Sequence, residues 1–291
     1  MSTGLISEGP SRFMKPFSST NYLQGSKDFL SSNSIVAKFA FLMLVLIIFI
    51  MLVRFGVSFI TWMFTPTNNP VLIDGMIDAK QHYQFHQDPS IPHSKPIVRS
   101  KNLTEGLEFT WSVWIHVEDF HYKQADYKHV FHKGNIDINT TDAPIGLNRP
   151  NNAPGLYITP DTNNLLVMMN TFNKINEEVI IPDLPLNKWV NVIIRVTKQT
   201  QLDVYINGRL TKRHILSGVP KQNYGDVYVA ANGGFDGKIS KLQYFNSALG
   251  TSHIQKIIDQ GPNLTEKSKS LLDSKPRYLS TRWFFGDNYS L

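Results

Sequence analysis

Hydrophobic positions form one continuous run near the N-terminus and alternate with polar positions further on. From Phe39 to Phe64 the only charge is Arg54, and the stretch from Phe39 to Val53 has none. A helix of this length extends roughly 39 Å at about 1.5 Å per residue, enough to cross a hydrocarbon core of about 30 Å. Residues 35–64 are therefore predicted to be a transmembrane helix. A cleaved signal peptide would begin nearer residue 1 and a core helix would have a polar face, so both are disfavoured.

Arg54 leaves the register of this helix open, because a cation in the middle of a bilayer is costly. The span either runs from 35 to 53, with Lys38 and Arg54 near the two headgroup layers, or centres further on, with Trp62 in the aromatic belt. The second register is preferred. More basic residues lie before the span than shortly after it, which indicates a single-pass protein with a cytoplasmic tail and a translocated C-terminal part.

The alternating pattern begins at about residue 107 and is typical of strands. In 110–117, Trp111, Val113, Ile115 and Val117 share one face, which is the period of two that a strand with a buried face requires. Imperfect alternation in the last predicted strand indicates a bulge. Further strands are predicted at 155–159, 165–170, 179–181, 189–196, 202–206, 209–215, 226–230 and 237–245.

Two local signals complete the predicted domain. Asn207-Gly208 favours a tight type I′ turn and therefore a hairpin between the flanking strands. Thr251 is a candidate cap for a short helix with three isoleucines on one face, and Gly261-Pro262 ends it. Many short strands with one peripheral helix predict an all-β fold, an antiparallel sandwich.

Composition divides the chain around these elements. The tail before the helix is polar, the segment after it is rich in proline, and the C-terminus carries an aromatic cluster, Trp283 to Phe285. Because exposed aromatic clusters are costly, we expect the C-terminal tail to dock against the domain or a neighbouring protein. The predicted parts are a flexible tail (1–34), the helix (35–64), an extended connector (65–103), the sandwich (104–262) and a docking tail (263–291).

Charge and cysteine content narrow the functional classes. The chain has no cysteine, which excludes disulfides, thiolate catalysis and thiolate metal sites. Its net charge is +6, but the basic residues are scattered without a recognition helix or a phosphate loop, so binding of nucleic acid is not expected. Sequons for N-glycosylation occur at Asn102, Asn139, Asn263 and Asn288, and their use depends on topology.

Segments 109–117, 130–135, 154–169, 184–210 and 233–257 together resemble the concanavalin A-like, laminin G-like jelly roll. The resemblance covers about residues 107–261 and implies a jelly-roll sandwich. Fold alone does not specify function. The most specific positions start a core strand, turn a hairpin or allow a close bend: Trp189, Asn207, Gly208, Phe235 and Gly237.

The order of parts also resembles a group of proteins from large nucleocytoplasmic DNA viruses of algae and protists. The shared order is a Ser/Asn-rich tail, an apolar helix, the segment NPVLIDGMIDAKQ and the strand EFTWSVWIHV. Such viruses carry a membrane beneath an icosahedral shell. The resemblance implies a structural virion protein, such as a minor capsid protein, in the internal membrane. We expect its sandwich to bind capsid proteins and tether the shell to the lipid bilayer without a cofactor.

Glycoside hydrolysis is one alternative function for this fold. Glycoside hydrolases on this fold need two carboxylates about 5 to 10 Å apart. The close acids here are the adjacent pairs Glu118-Asp119 and Glu177-Glu178, and adjacent strand residues point to opposite faces, so no enzymatic activity is expected.

Glycan binding without hydrolysis is the main alternative. Relatives bind sugars through loop Asn, Asp and aromatic residues at one rim, in some cases with calcium. Two Asx clusters offer oxygen ligands, although such clusters more often form turns: Asp137, Asn139 and Asp142, and Asp161, Asn163 and Asn164. The dense histidines lack a recognised metal-ligand spacing, so ordinary surface or half-buried roles are preferred: His116, His121, His129 and His132.

Overall fold

A computed structural model describes residue 27, residues 35–104 and residues 106–267. The chain divides into two compact units, Met1–Thr65 and Pro66–Leu291. The predicted flexible tail, except Lys27, and the aromatic cluster of the predicted docking tail lie outside the described residues, as does Asn288.

The first unit contains one described helix, α1 (Ile35–Phe64). It is long and apolar enough to cross a membrane, and only 6% of its most apolar window is buried. Phe55 stacks on Phe59, which in turn contacts Trp62 at 6.1 Å between ring centroids. The exposed apolar side chains distinguish α1 from the core helix of a globular domain.

The regular secondary structure described in the second unit consists almost entirely of strands. The final helix is α2 (Thr251–Gln260). The described strands are β1 (Met76–Asp78), β2 (Tyr83–Phe85), β3 (Lys101–Leu103), β4 (Gly106–Asp119), β5 (Lys128–Gly134), β6 (Gly155–Ile158), β7 (Leu165–Met169), β8 (Glu177–Ile181), β9 (Trp189–Thr197), β10 (Gln201–Ile206), β11 (Arg209–Ile215), β12 (Asp226–Val229) and β13 (Asp236–Phe245).

These strands form two antiparallel sheets. Within the described residues, one sheet has the order β1-β13-β4-β9-β10-β11, with β3 added beside β4, and the other has the order β2-β12-β5-β6-β7-β8. The inner faces enclose one large core, in which Trp111 lies 5.3 Å from Phe131 and 5.1 Å from Tyr244 between ring centroids. The predicted antiparallel sandwich is therefore confirmed, including the buried face of 110–117.

Local turn chemistry follows the sequence closely. Asn207 and Gly208 have φ values of 49° and 78°, the positive pair that a type I′ turn needs, and they join β10 to β11. The pairing of β13 with β4 shifts register between Ser240 and Gln243, which is the predicted bulge. Gly237 takes a φ of 151° because its backbone passes directly beside the His116 carbonyl.

The last helix begins differently from the prediction. Its N-cap is Gly250, and no side chain caps it, so Thr251 is the first helical residue and not the cap. The helix ends at Gly261, as predicted, where a φ of 64° follows the last turn. Ile254 packs with Ile193 and Tyr205, so α2 covers the outer face of the first sheet.

The prediction of an extended connector over residues 65–103 differs most from the structure. This segment contributes β1 to one sheet through β13 and β2 to the other through β12. Its prolines flank these three-residue strands and do not interrupt them, and strands this short show no readable period. Beyond α2, Glu266 forms a parallel bridge with Met76, so the start of the predicted docking tail lies along the edge of the first sheet.

Candidate functional site

An open pocket of about 340 Å³ lies at one end of the sandwich. Phe109 near the start of β4 and Tyr244 near the end of β13 supply inner-face side chains from the first sheet. Lys133 near the end of β5 supplies the corresponding position from the second sheet, two residues after the core side chain of Phe131. The loops 87–99 and 221–226 form its walls. We call this cavity the end pocket.

Lys133 is the buried cation of the end pocket, at 8% exposure. Its Nζ donates to the carbonyl oxygens of Asn223 and Gly225, both at 2.8 Å, and to Asn223 Oδ1 at 3.3 Å. Burial lowers the pKa of Lys133 to about 8, and the negative charge of Asp226 opposes this shift. The ammonium is therefore mostly protonated at neutral pH, and its bonds hold the 223–225 loop in place.

Asp226 is a partly buried carboxylate on β12, the strand paired with that of Lys133. Its Oδ2 accepts hydrogen bonds from Gln84 Nε2 and His86 Nδ1, both at 2.8 Å, and its Oδ1 accepts from the Gln87 amide at 2.9 Å. Burial alone would raise the pKa of Asp226, but these donors together outweigh it, and the pKa lies below its ordinary value. The carboxylate thus stays ionised and fixes the end of β2 against β12.

The two walls are also tied to each other. Gln87 donates from Nε2 to the carbonyls of Phe85 and Lys95, and its Oε1 accepts the Ile97 amide at 2.8 Å. On the other side, Gln222 Nε2 donates to Ser100 Oγ, which links loop 221–226 to the segment before β3. The end pocket is therefore preformed by hydrogen bonds.

Three side chains at the pocket remain largely available to a ligand. Tyr224 is 79% exposed, and Arg99 is exposed with no hydrogen bond or ion pair within the described part of the chain. Lys221 places its Nζ over the Phe172 ring at 5.5 Å and forms no ion pair with any described residue. An apolar floor with a few polar groups at the rim is the arrangement of a small-molecule site.

The candidate calcium residues Asp137, Asn139 and Asp142 take part in short-range hydrogen bonds. Asn139 Oδ1 accepts the amides of Thr141 and Asp142, and its Nδ2 donates to the Asp142 carbonyl, which is an Asx turn. Asp137 lies nearby in the chain, with its amide bound to Asn148 Oδ1. In residues 35–104 and 106–267, no group of three or more histidine, aspartate or glutamate side chains converges on a metal position. In the alternative cluster at 161–164, Asn163 Nδ2 donates to the Leu184 carbonyl and Asn164 Nδ2 donates to Thr162 Oγ1.

Glu177 and Glu178 point to opposite faces of β8, as their adjacency predicts. Glu177 is buried and accepts from His214 Nε2, the Ser217 amide and the Ser217 hydroxyl. Glu178 is exposed and lies 3.5 Å from Arg149. Neither this pair nor Glu118-Asp119 lines the end pocket, whose carboxylates are Asp88 and Asp226.

His129 and His132 differ from the surface or half-buried roles that we preferred for them, since both are fully buried. The Ala231 amide donates to His129 Nδ1 at 3.0 Å, so this nitrogen carries no proton. His129 Nε2 then donates to His132 Nδ1 at 2.6 Å, and His132 Nε2 donates to the Asn135 carbonyl at 3.1 Å. Both rings are neutral in this series of hydrogen bonds, and burial lowers the pKa of each histidine.

The other positions singled out from the sequence contribute to the fold. Trp189 begins β9 and contacts the His116 ring at 5.4 Å, and Phe235 is buried beside Gly237.

Among the sequons, Asn139 and Asn263 already donate from Nδ2, to Asp142 and Asp74 respectively. Asn102 lies in β3 opposite Leu107. The end pocket itself was missed, and its one sequence signal was Lys133 on the inner face of a strand.

Comparisons with known proteins bear on the fold. A family model described as the concanavalin A-like lectin/glucanases superfamily matches residues 95–255. A search of curated proteins found no match.

Three similar solved structures are receptor-binding or binding domains of botulinum neurotoxins. The domain of the C/D mosaic serotype is 15% identical, with a TM-score of 0.41, and the match covers 53% of this chain and 36% of that one. For serotype D the values are 13%, 0.45, 67% and 44%, and for serotype G they are 12%, 0.43, 62% and 42%. The chain thus spans less than half the length of each, and similarity at this level does not extend to function.

Proposed function

The chain belongs to the concanavalin A-like lectin/glucanases superfamily, and from that premise we propose that it is a membrane-anchored binding protein. The sandwich is the binding part, and α1 is the anchor. The observation that carries the proposal is the 30-residue helix whose apolar side chains remain exposed, because no soluble protein surface leaves an apolar area of this kind without a partner. Lipid is the partner that fits its length.

The binding part acts without catalysis in this proposal. The partly buried acid of the end pocket, Asp226, has its carboxylate occupied by three donors, and a general acid or nucleophile needs access to substrate. Glu177 and Glu178 lie on opposite faces of β8, which does not suit two carboxylates flanking one glycosidic bond.

The setting that we propose is a large DNA virus particle. The order of tail, helix and sandwich resembles structural proteins of such viruses, and this resemblance supports a minor capsid protein in the internal membrane. The sandwich would bind capsid proteins, and α1 would hold them to the bilayer beneath the shell. Rigid strand frames with exposed loops suit such contacts.

Fractionation of particles tests this setting. Particles that contain the protein are crosslinked, and a mild detergent then removes lipid. We expect crosslinks between the sandwich and shell proteins, and we expect retention of the chain on the shell after the lipid has left. Complete release with lipid and no crosslink to any shell protein would contradict the tether.

Glycan binding is the second candidate, and the end pocket favours it. Its aromatic floor, preformed walls and exposed Tyr224 are the features that sugar sites use. The full-length chain in detergent is applied to a glycan array. Saturable binding that free sugar inhibits supports this candidate, and silence together with copurification of capsid proteins favours the tether alone.

A further inference from the structure

The end pocket has an excess of positive charge that its own walls do not neutralise. Three cations and two carboxylates line it, leaving one net positive charge. Lys133 and Asp226 lie on the paired strands β5 and β12, and each is held by several hydrogen bonds. Asp88 is occupied by the Ser90 amide at 2.8 Å. Arg99 and Lys221 therefore remain as the cations that can approach a ligand.

The floor and rim offer ring surfaces beside these cations. Phe109, Tyr244 and Ile97 form an apolar base, and Tyr224 stands exposed at the mouth. An aromatic ring can pack against the apolar face of a sugar, while its edge and hydroxyl group meet polar atoms. A ligand with one apolar face, several hydroxyl groups and one negative charge would use all of these groups.

The walls are held in position before any ligand arrives. Bonds from Gln87, Lys133 and Gln222 join the two loops to each other and to the strands. A preformed site loses little conformational entropy on binding, so weak individual contacts can sum to specific recognition. Its volume of about 340 Å³ is at the lower end of small-molecule sites, which limits the occupant to a small unit.

We propose that the end pocket binds a carboxylated sugar, with Arg99 and Lys221 facing the carboxylate and Tyr224 stacking on the ring. This inference rests on the glycan-binding candidate and narrows it to acidic sugars. Guanidinium groups pair with carboxylates through two parallel hydrogen bonds, which gives Arg99 the larger share of the charge recognition. Neutral sugars lack the group that these two cations would hold.

Calorimetry on the full-length chain in zwitterionic nanodiscs tests the proposal, since lipid headgroups without net charge compete little for the cations. The probes are disaccharides of glucuronic or galacturonic acid and their neutral glucose or galactose counterparts. We expect the acidic probes to bind at least tenfold more tightly than the neutral ones, with affinity that falls as salt rises. The double variant Arg99→Gln/Lys221→Gln should remove that tenfold preference.

Matched variants separate this role from general charge and from folding. Arg209→Gln/Lys212→Gln removes two exposed cations of β11, outside the pocket, and should leave the preference unchanged. Tyr224→Ala should weaken acidic and neutral sugars alike by removing the stacking surface. Each variant is checked by thermal melting, and the exposed positions of Arg99 and Tyr224 and the half-buried position of Lys221 predict melting curves close to native.

The outcomes distinguish the inference from the candidate on which it rests. Equal affinity for acidic and neutral sugars overturns the acidic specificity and leaves glycan binding standing. Binding of a glutamate-rich peptide in place of every sugar overturns the sugar assignment. The absence of binding to any of these probes overturns both the inference and the glycan-binding candidate.

Discussion

The buried histidine pair is the residue-scale feature with the clearest energetic consequence. The Ala231 amide fixes one end of the chain of bonds and the Asn135 carbonyl fixes the other, so neither ring can gain a proton without losing a bond. His132 faces Tyr228 at 5.1 Å, and His129 faces Tyr157 at 5.3 Å, both between ring centroids. The His82 ring also stacks on Tyr228, at 5.9 Å between ring centroids. A positive charge on His82 would lower the pKa of His129 and His132 further.

This pair predicts loss of stability in mild acid. The pKa of His132 is about 4, below the unfolded value of about 6.5, so the unfolded chain binds more protons between these values. Stability is therefore full above pH 6.5 and falls as pH drops towards 4, by on the order of 3 kcal/mol for this histidine. Urea unfolding of the full-length chain at pH 7.5, 5.5 and 4.5 measures the fall.

The variant His132→Gln isolates the effect from carboxylates that titrate in the same range. It is less stable at pH 7.5, because one hydrogen bond of the pair is lost, but its stability should change less between pH 6.5 and 4.5 than that of the parent. Identical slopes for parent and variant would show that the pair does not control the acid response.

Gly237 is the second residue-scale determinant. A Cβ there would lie 1.9 Å from the His116 carbonyl oxygen, so β13 can approach β4 at this point only without a side chain. We expect Gly237→Ala to lower the free energy of unfolding by roughly 1 to 3 kcal/mol. Gly250 has open space around its Cβ position and a φ of −75°, so Gly250→Ala is the matched control and should cost less than about 1 kcal/mol. Equal losses in chemical denaturation would contradict the close-approach explanation.

At the scale of elements, regular alternation was a reliable guide. The strands with four or more alternating positions, such as β4, β9 and β10, lie where the sequence predicts them. The strands that were missed are three residues long or, in β5, carry a bulge and a run of polar residues that are nonetheless buried. Burial of Lys128, His129 and His132 depends on neighbours distant in sequence, which no local period reveals.

The contact of α2 with the first sheet gives an element-scale prediction. Ile254 is 1% exposed and packs with Ile193, Tyr205 and Leu249. Truncation to alanine leaves a cavity, so Ile254→Ala should destabilise the sandwich by about 2 to 4 kcal/mol. Lys256 is exposed on the same helix, and Lys256→Ala should change stability by less than about 0.5 kcal/mol. Urea unfolding followed by tryptophan fluorescence compares them, and a small loss at Ile254 would mean that α2 is not integral to the domain.

At the scale of the whole molecule, the candidate site was the least predictable part. The end pocket joins loop 87–99, the end of β5 and loop 221–226, which are far apart along the chain. Its hydrogen bonds, such as Lys133 to Gly225, join segments 92 residues apart and form only when β5 pairs with β12. The sequence did predict that Glu177 and Glu178 would lie on opposite faces of a strand, because that argument needs only the alternation of a strand.

The anchor, by contrast, depends on a single continuous stretch and is the central claim of the account. Membranes from cells that express the full-length chain are washed with alkaline carbonate, beside membranes from cells that express a variant lacking residues 35–64. The account predicts that the full-length chain stays in the membrane pellet and that the variant moves to the supernatant. Release of the intact full-length chain into the supernatant would contradict it.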